Sequence, residues 1–511
     1  MENFMLNSRN RPALPIRTGL TLIEILIALT MTLIVLGAMM TAFAYASQQM
    51  QMGRGVMEMA NRLRAAEELL RSDLSHVTVD PRPYTESTNP NGYWEYVEGP
   101  SLDNVTAPGS NYLGDLDDIW AATIRSETRP FRGRYIFPPD ALASGWTISN
   151  PASEPVTVIE SPLAEVVWWT DYVENDGNYQ VGFDESVTIY RRALLIVPNT
   201  VRLPRFVNFG AAASYLATND ISARIVEIVD SGTTYYQLVA NTLKDLAHRQ
   251  VRFGHNPVLG AGVGIAPAPA GYPHWLHRNT LWLMRSADYN LSGSLDLAGG
   301  GLFAMEPNGS DIMLTDVAGF DVKVFSPDAA VLDWSSHPTD PINVIVEPSD
   351  PGYANALSTL TPAQLAAMTR SIGAYVDLGV LGAIGGDAFT VNPTAKSGLS
   401  YQFMFDYRFP RNLPGPPVIP PAWGGLLDRA YDTWTPFYES DGVDQDGVAG
   451  ADQGTNGIND GGTLAPDDEA ERETRPPYPY PVRGVKVSIR LVEKTTKQIH
   501  QSSVIHSYVP E

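Results

Sequence analysis

A single carboxylate at the head of a long uncharged run constrains this chain more than any other feature. Thr18-Gly19-Leu20-Thr21-Leu22-Ile23-Glu24 leads into residues 25–53, which carry no charged side chain. Leu, Ile, Met, Ala and Thr dominate as far as Ala46. About 20 apolar residues suffice to cross a bilayer as a helix, so residues 20–46 are expected to span a membrane. Glu24 sits just inside the run with no basic neighbour. A carboxylate in hydrocarbon is costly and marks a functional position by default. A plain anchor has no use for it.

The helix is expected to outlast the membrane and cover residues 20–76. Val56, Met59, Leu63, Ala66, Leu70 and Leu74 recur at spacings of three and four, which puts them on one helical face. Glu58, Arg62, Arg64, Glu67, Glu68 and Arg71 occupy the other faces. The first half is therefore apolar all round and the second amphipathic, as suits a helix that leaves lipid to lie on a globular domain. Residues 1–19 hold Arg9, Arg11, Arg17 and Glu2 but no apolar segment of their own. An ordinary secretory signal places its apolar region before the cleavage site. Here it follows Gly19, so a cut there leaves the helix attached. The three arginines are expected to stay cytoplasmic by the positive-inside rule, with the rest of the chain across the inner membrane.

Residues 9–75 resemble the type IV pilin-like proteins, which comprise pilins and the pseudopilins of type II secretion. The family signature is a short basic leader, a Gly, and a hydrophobic helix with Glu at its fifth position. Gly19 matches the residue before the cut, Leu20 the first mature residue and Glu24 the fifth. Leu20 departs from the usual Phe. The resemblance implies that a membrane prepilin peptidase cuts after Gly19 and methylates the amine of Leu20. It further implies that Glu24 meets the Leu20 amine of a neighbouring subunit inside a filament. Other pilins or pseudopilins, an assembly platform and the inner membrane are then the implied partners. A chain this long points to a minor subunit, for which the J-type pseudopilin and the W-type minor pilin are the nearer comparisons.

Residues 77–511 are expected to form a soluble β-rich head, giving an α+β fold with mainly antiparallel sheet. Pro81, Pro83, Asn89-Pro90 and Asn91-Gly92 break the helix. Short β-branched and aromatic segments then alternate with Gly, Pro, Asn and Asp, the pattern of hairpins. They include Asp118–Ile124, Arg134–Phe137, Val156–Ile159, Ala164–Tyr172, Val187–Val197, Ala223–Val229 and Thr234–Val239. Thr280–Met284, Phe320–Phe325, Ile342–Glu347 and Tyr401–Phe409 follow. Thr361 as N-cap with Pro362 in the first turn predicts a short helix; Asn241–Arg249 is a second candidate. Val485, Val487, Ile489 and Leu491 alternate with Lys486, Ser488 and Arg490, and Lys497–Tyr508 reads as the returning strand of a hairpin. The Pro-rich stretches Ala266–Pro273 and Asn412–Trp423 read as surface loops within one head.

The chain of 511 residues has a formal charge of -22, and residues 1–19 account for +2 of it, so the part from Leu20 onward carries -24. So acidic a surface argues against a nucleic-acid partner, which needs Lys and Arg. The absence of cysteine excludes disulfides, thiolate metal sites and a Cys nucleophile. Two acidic, glycine-containing segments are candidate calcium loops, since calcium takes six to eight oxygen ligands from flexible loops. Within residues 440–468 the candidates are Asp441, Asp444, Asp446, Asp452, Asn459 and Asp460, although no complete twelve-residue loop is present. A solvated acidic loop accounts for the same residues. Asp288, Asn290, Ser292 and Asp296 place oxygens at alternate positions, but Gly299 stands where a bidentate carboxylate belongs, and an Asx-type turn is the competing reading.

No enzyme motif rises from the remainder. His274 and His277 lack the following Glu of a metalloprotease, and Gly260, Gly262 and Gly264 lead into Pro267 and Pro269 rather than a helix. Trp168-Trp169 and Tyr235-Tyr236 alternate faces in strands and read as packing. A non-enzymatic, prepilin-like subunit is the expectation. A membrane-anchored envelope protein that never polymerises, its head an adhesin or an enzyme, is the alternative.

Overall fold

The computed structural model describes residues 21–82, 91–98, 118–136, 156–173, 186–197, 203–207, 219–248, 251–253, 312–339, 341–348, 361–378, 430–434, 456–459, 481–493 and 498–509, with a few isolated positions between them. Two compact units make up the chain, Met1–Glu58 and Met59–Glu511. One long helix, α1 (Leu22–Ser75), runs from the first into the second. The architecture is α+β, with this helix and a large, mainly antiparallel sheet.

Among the described residues the main sheet has ten strands. Across it lie β13 (Ala430–Asp432), β1 (Trp94–Val97), β2 (Ile119–Arg125), β5 (Leu163–Val173), β6 (Ser186–Leu195), β10 (Ile312–Asp333), β14 (Gly484–Glu493) and β15 (Gln498–Ser507). β10 is long enough to serve several partners in turn. Residues 312–317 pair with β6, 317–324 with β14, and 324–332 with β12 (Thr369–Val376), while its end also meets β11 (Ile345–Val346). Register shifts interrupt the pairing with β6 and with β12. Asp316 lies at one, with φ of 60°, a left-handed conformation that Asp tolerates better than most residues. Pro327 lies at another, between Ser326 and Ala330, where a residue without an N–H cannot continue the ladder.

Two smaller sheets lie on one side of the chain order. β3 (Phe131–Ile136) pairs with β4 (Val156–Ser161), and β9 (Thr233–Ala240) lies between β7 (Arg205–Phe206) and β8 (Ala223–Asp230). Tyr135, Leu195, Phe206, Tyr215 and Leu238 share a small core there.

The main core forms where the second half of α1 meets the sheet. Met59, Leu63, Ala66, Leu70 and Leu74 are all buried among residues that include Trp168, Val322 and Val487. This is the stripe that the spacing predicts from Met59 onward, with Val56 only half-buried, and burying each Leu contributes about 1.5–3 kcal/mol. One polar residue shares the buried face. Asp73 accepts from Trp168 Nε1 at 2.8 Å, Arg191 Nε at 2.7 Å and an Arg191 Nη at 2.9 Å. The carboxylate thus joins the last turn of α1 to β5 and β6 through a bidentate fork. The helix stops two residues later, where the Ser75 hydroxyl and the His76 ring both reach the carbonyl of Ser72. The departing chain then joins β2 by a bridge between Val77 and Ile124.

Most expected strands are present, and the C-terminal hairpin pairs Gly484 with Ser507 through Glu493 with Gln498. Thr361 caps α2 (Pro362–Met368) through a reciprocal capping box with Gln364. Two expectations need correction. Only Ile345–Val346 of 342–347 is a strand, at the very end of β10. Asn241–Arg249 yields a single 3-10 turn, Asp245–Ala247, because the chain turns extended at His248, and Arg252 folds back to donate to the carbonyls of Leu246 and Ala247. Thr280–Met284, Tyr401–Phe409 and both Pro-rich stretches lie outside the described residues.

Removing one partner of a buried ion pair strands the other, at a cost of about 3–5 kcal/mol. Asp73→Ala is therefore expected to lower the unfolding free energy of the full chain in detergent by about 3 kcal/mol. Asp73→Asn loses less, because its amide oxygen still accepts from Trp168. Denaturant titration measures both; a loss in Asp73→Ala under about 1 kcal/mol would make the fork dispensable.

Candidate functional site

At the N-terminal end of α1, Thr21 precedes the first helical residue and Glu24 stands at the third. The Thr21 backbone N–H and hydroxyl both donate to Glu24 Oε2, at 2.8 and 2.9 Å, and the Glu24 N–H donates back to Thr21 Oγ1 at 3.4 Å. This is a capping box, which satisfies donors that the first turn of a helix leaves free. The acid also complements the positive end of the helix dipole. Both donors use Oε2, so Oε1 has no partner among the described residues. Glu24 therefore has a local structural role and a spare acceptor.

Beyond it, the surface of the helix is apolar. Leu22, Ile23, Ile25, Leu26, Leu29, Met31 and their successors to Tyr45 are exposed. Thr30, Thr32 and Thr41 turn their hydroxyls onto carbonyls three or four residues back, so their polar groups are consumed inside the helix. From Leu22 to Tyr45 the segment is about 36 Å long, against a hydrocarbon core of about 30 Å. It is the one helix among the described residues apolar and long enough to cross a membrane. Among the described residues no protein surface covers it, and an exposed apolar surface of this extent suits lipid or other apolar helices.

No family model, curated protein or solved structure matches the chain. Gly19 and Leu20 lie outside the described residues, as do Asp441, Asp444, Asp446, Asp452, Asp460, Asp288, Asn290, Ser292 and Asp296. Asn459 is described and exposed, three residues after an Asx turn in which Asn456 Oδ1 accepts from Ile458 N at 2.7 Å. Among the described residues, no group of three or more His, Asp or Glu is arranged to hold a metal ion.

The head contains polar constellations that reading the sequence missed. Arg252 is fully buried, and one of its Nη atoms lies 2.9 Å from both Glu95 Oε2 and Asp432 Oδ2. Its guanidinium carbon stands 4.0 Å above the Tyr93 ring. Tyr93 Oη donates to Glu165 Oε1 at 2.9 Å, and Ser222 Oγ donates to Glu165 Oε2 at 2.6 Å. Burial opposes the Arg252 charge, but the Asp432 and Glu95 carboxylates outweigh it and hold its pKa above the ordinary range. Burial, followed by the Glu165 charge, pushes the Tyr93 phenol well up. These groups join β1, β5, β13 and the 3-10 turn and face one another rather than solvent. They hold segments together.

A lysine cannot reproduce the fork with which Arg252 spans two carboxylates and two carbonyls. Arg252→Lys is expected to cost about 3 kcal/mol, read as a lower denaturation midpoint. Unchanged stability would mean that a point charge serves Glu95 and Asp432 as well as the guanidinium fork does.

Proposed function

We propose that this chain is a prepilin-like minor subunit, cut after Gly19, methylated on Leu20 and assembled through its N-terminal helix into a type II secretion pseudopilus or type IV pilus. The observation that carries the reading is Glu24, the one acid in an otherwise apolar and exposed segment, with Oε1 free to accept. A buried carboxylate needs a partner charge. The amine of a neighbouring Leu20 supplies it in this reading and sets the axial register between subunits. The basic leader stays in the cytoplasm and the head lies across the inner membrane, as the Arg9, Arg11 and Arg17 bias supports. The size of the head favours a minor position over a bulk one, and the chain performs no catalysis of its own.

N-terminal sequencing and mass spectrometry of the protein from its native membrane test the processing step. An N-methylated Leu20 is expected. An intact Met1 would sink the proposal and leave a membrane-anchored envelope protein. Glu24→Ala tests the pairing step: the variant is expected to be cleaved and to keep the melting temperature of the head, yet to be missing from sheared filaments. Normal incorporation would refute the role given to Glu24.

A further inference from the structure

A second buried polar cluster lies at a seam in the sheet. β10 pairs with β6 up to Val317 and with β12 from Val324. Between these partners, no described strand faces the edge of β10 at Val322. Two side chains take the place of one. Asp118 Oδ2, just before β2, accepts from the Val322 N–H at 2.6 Å, and Tyr96 Oη of β1 donates to the Val322 carbonyl. The same Tyr96 oxygen is in hydrogen-bond contact with Glu98 Oε2 and stands 3.5 Å from Asp118 Oδ2. Lys323 Nζ lies 2.8 Å from Asp377 Oδ1, just after β12, and 3.1 Å from Asp321 Oδ2. All of these side chains are buried; Glu98, Asp118 and Asp377 have no exposed surface.

Counting protons decides the state of Glu98. A tyrosine hydroxyl owns one proton. The Val322 carbonyl can only accept, and a buried carbonyl requires a donor, so the Tyr96 proton is used there. The contact between Tyr96 Oη and Glu98 Oε2 is then a hydrogen bond only if Glu98 brings its own proton. Charge points the same way: an ionised Glu98 would be buried beside the like charges of Asp118 and Asp377, and removing even one such charge from water costs several kcal/mol. Glu98 Oε1 has no partner among the described residues, which a neutral acid bears far more cheaply than a carboxylate.

We propose that the folded head carries a proton on Glu98, donated to Tyr96 Oη, and that this proton makes the seam beside β10 a pH-sensitive element of the head. The groups facing Glu98 are Tyr96 from β1, Asp118 from the start of β2, Lys323 with Asp321 from β10, and Asp377 from the end of β12. Burial is the largest influence on Glu98 and raises its pKa well above the carboxylate range; Asp118 and Asp377 add to the rise, and Tyr96 and Lys323 oppose it only in part. The sign follows. An unfolded glutamate ionises near pH 4.3, whereas the folded one keeps its proton to higher pH. The stability from this proton is full below the unfolded pKa and is lost as pH rises through the folded one. Ionisation would set Glu98 against Asp118 and withdraw a donor from Tyr96, loosening β1 and β2 from β10.

Thermal melting of the full chain in detergent micelles, compared between wild type and Glu98→Gln from about pH 5 to about pH 8, tests the proposal. Gln keeps the shape and an N–H donor toward Tyr96 but cannot ionise. The variant is expected to gain melting temperature over wild type as pH rises. Parallel curves would overturn the proposal. If the variant does not fold, infrared spectra of wild type decide. A carboxylic-acid carbonyl band at neutral pH that shifts with ¹³C-glutamate labelling is expected, and its absence refutes the assignment.

Discussion

The fold of the head depends on the end of one helix being held against the middle of one sheet. Apolar packing of Met59, Leu63, Ala66, Leu70 and Leu74 brings α1 to the sheet, but such a stripe is non-directional and tolerates sliding. Asp73 is directional. Its two oxygens take three donors from Trp168 and Arg191, and a shift of the helix by one residue would turn the carboxylate away from all three. The hydrophobic stripe supplies the driving force and the fork supplies the register.

The same division recurs deeper in the head. Arg252 gathers Glu95 and Asp432, and Tyr96 with Asp118 occupies a gap along β10 where backbone groups would otherwise be orphaned. A strand that pairs with β6 and then with β12 along one edge leaves such a gap between them. Buried backbone donors and acceptors must be paired, and side chains from distant segments do it. In return, the seams concentrate charge inside the core, where protonation and folding become linked. The membrane end of the molecule answers a different constraint. There the helix satisfies its own backbone, its threonines satisfy themselves, and the remaining polar group, Glu24, is held by Thr21 with one oxygen to spare.

How much of this is legible in the sequence follows from the range of the interactions. Periods of 3.6 and 2 residues are local, so α1, its buried stripe, most of the β segments and the C-terminal hairpin can be read directly, as can the cap of α2 from Thr361, Pro362 and Gln364. β1, β12 and β13 are not legible. They are short, or carry Gly373 at φ of 100° and exposed polar residues, and become strands only because β2 and β10 offer edges to pair with. The helix expected over 241–249 is cut to one turn where the chain turns extended at His248 and brings Arg252 back onto the carbonyls of Leu246 and Ala247.

The sequence by itself determined the membrane-length helix, the odd acid at its start, the amphipathic switch near Val56 and the antiparallel character of the rest. All of these depend on neighbours within a few residues. Only the tertiary structure decided which buried charges meet. Asp73 lies 118 residues from Arg191, and Arg252 lies 157 from Glu95 and 180 from Asp432. Nothing in the local spacing of those residues differs from an ordinary surface Asp, Glu or Arg. Their roles arise because the sheet order brings them into one low-dielectric interior, where an ion pair or a shared proton is required rather than optional.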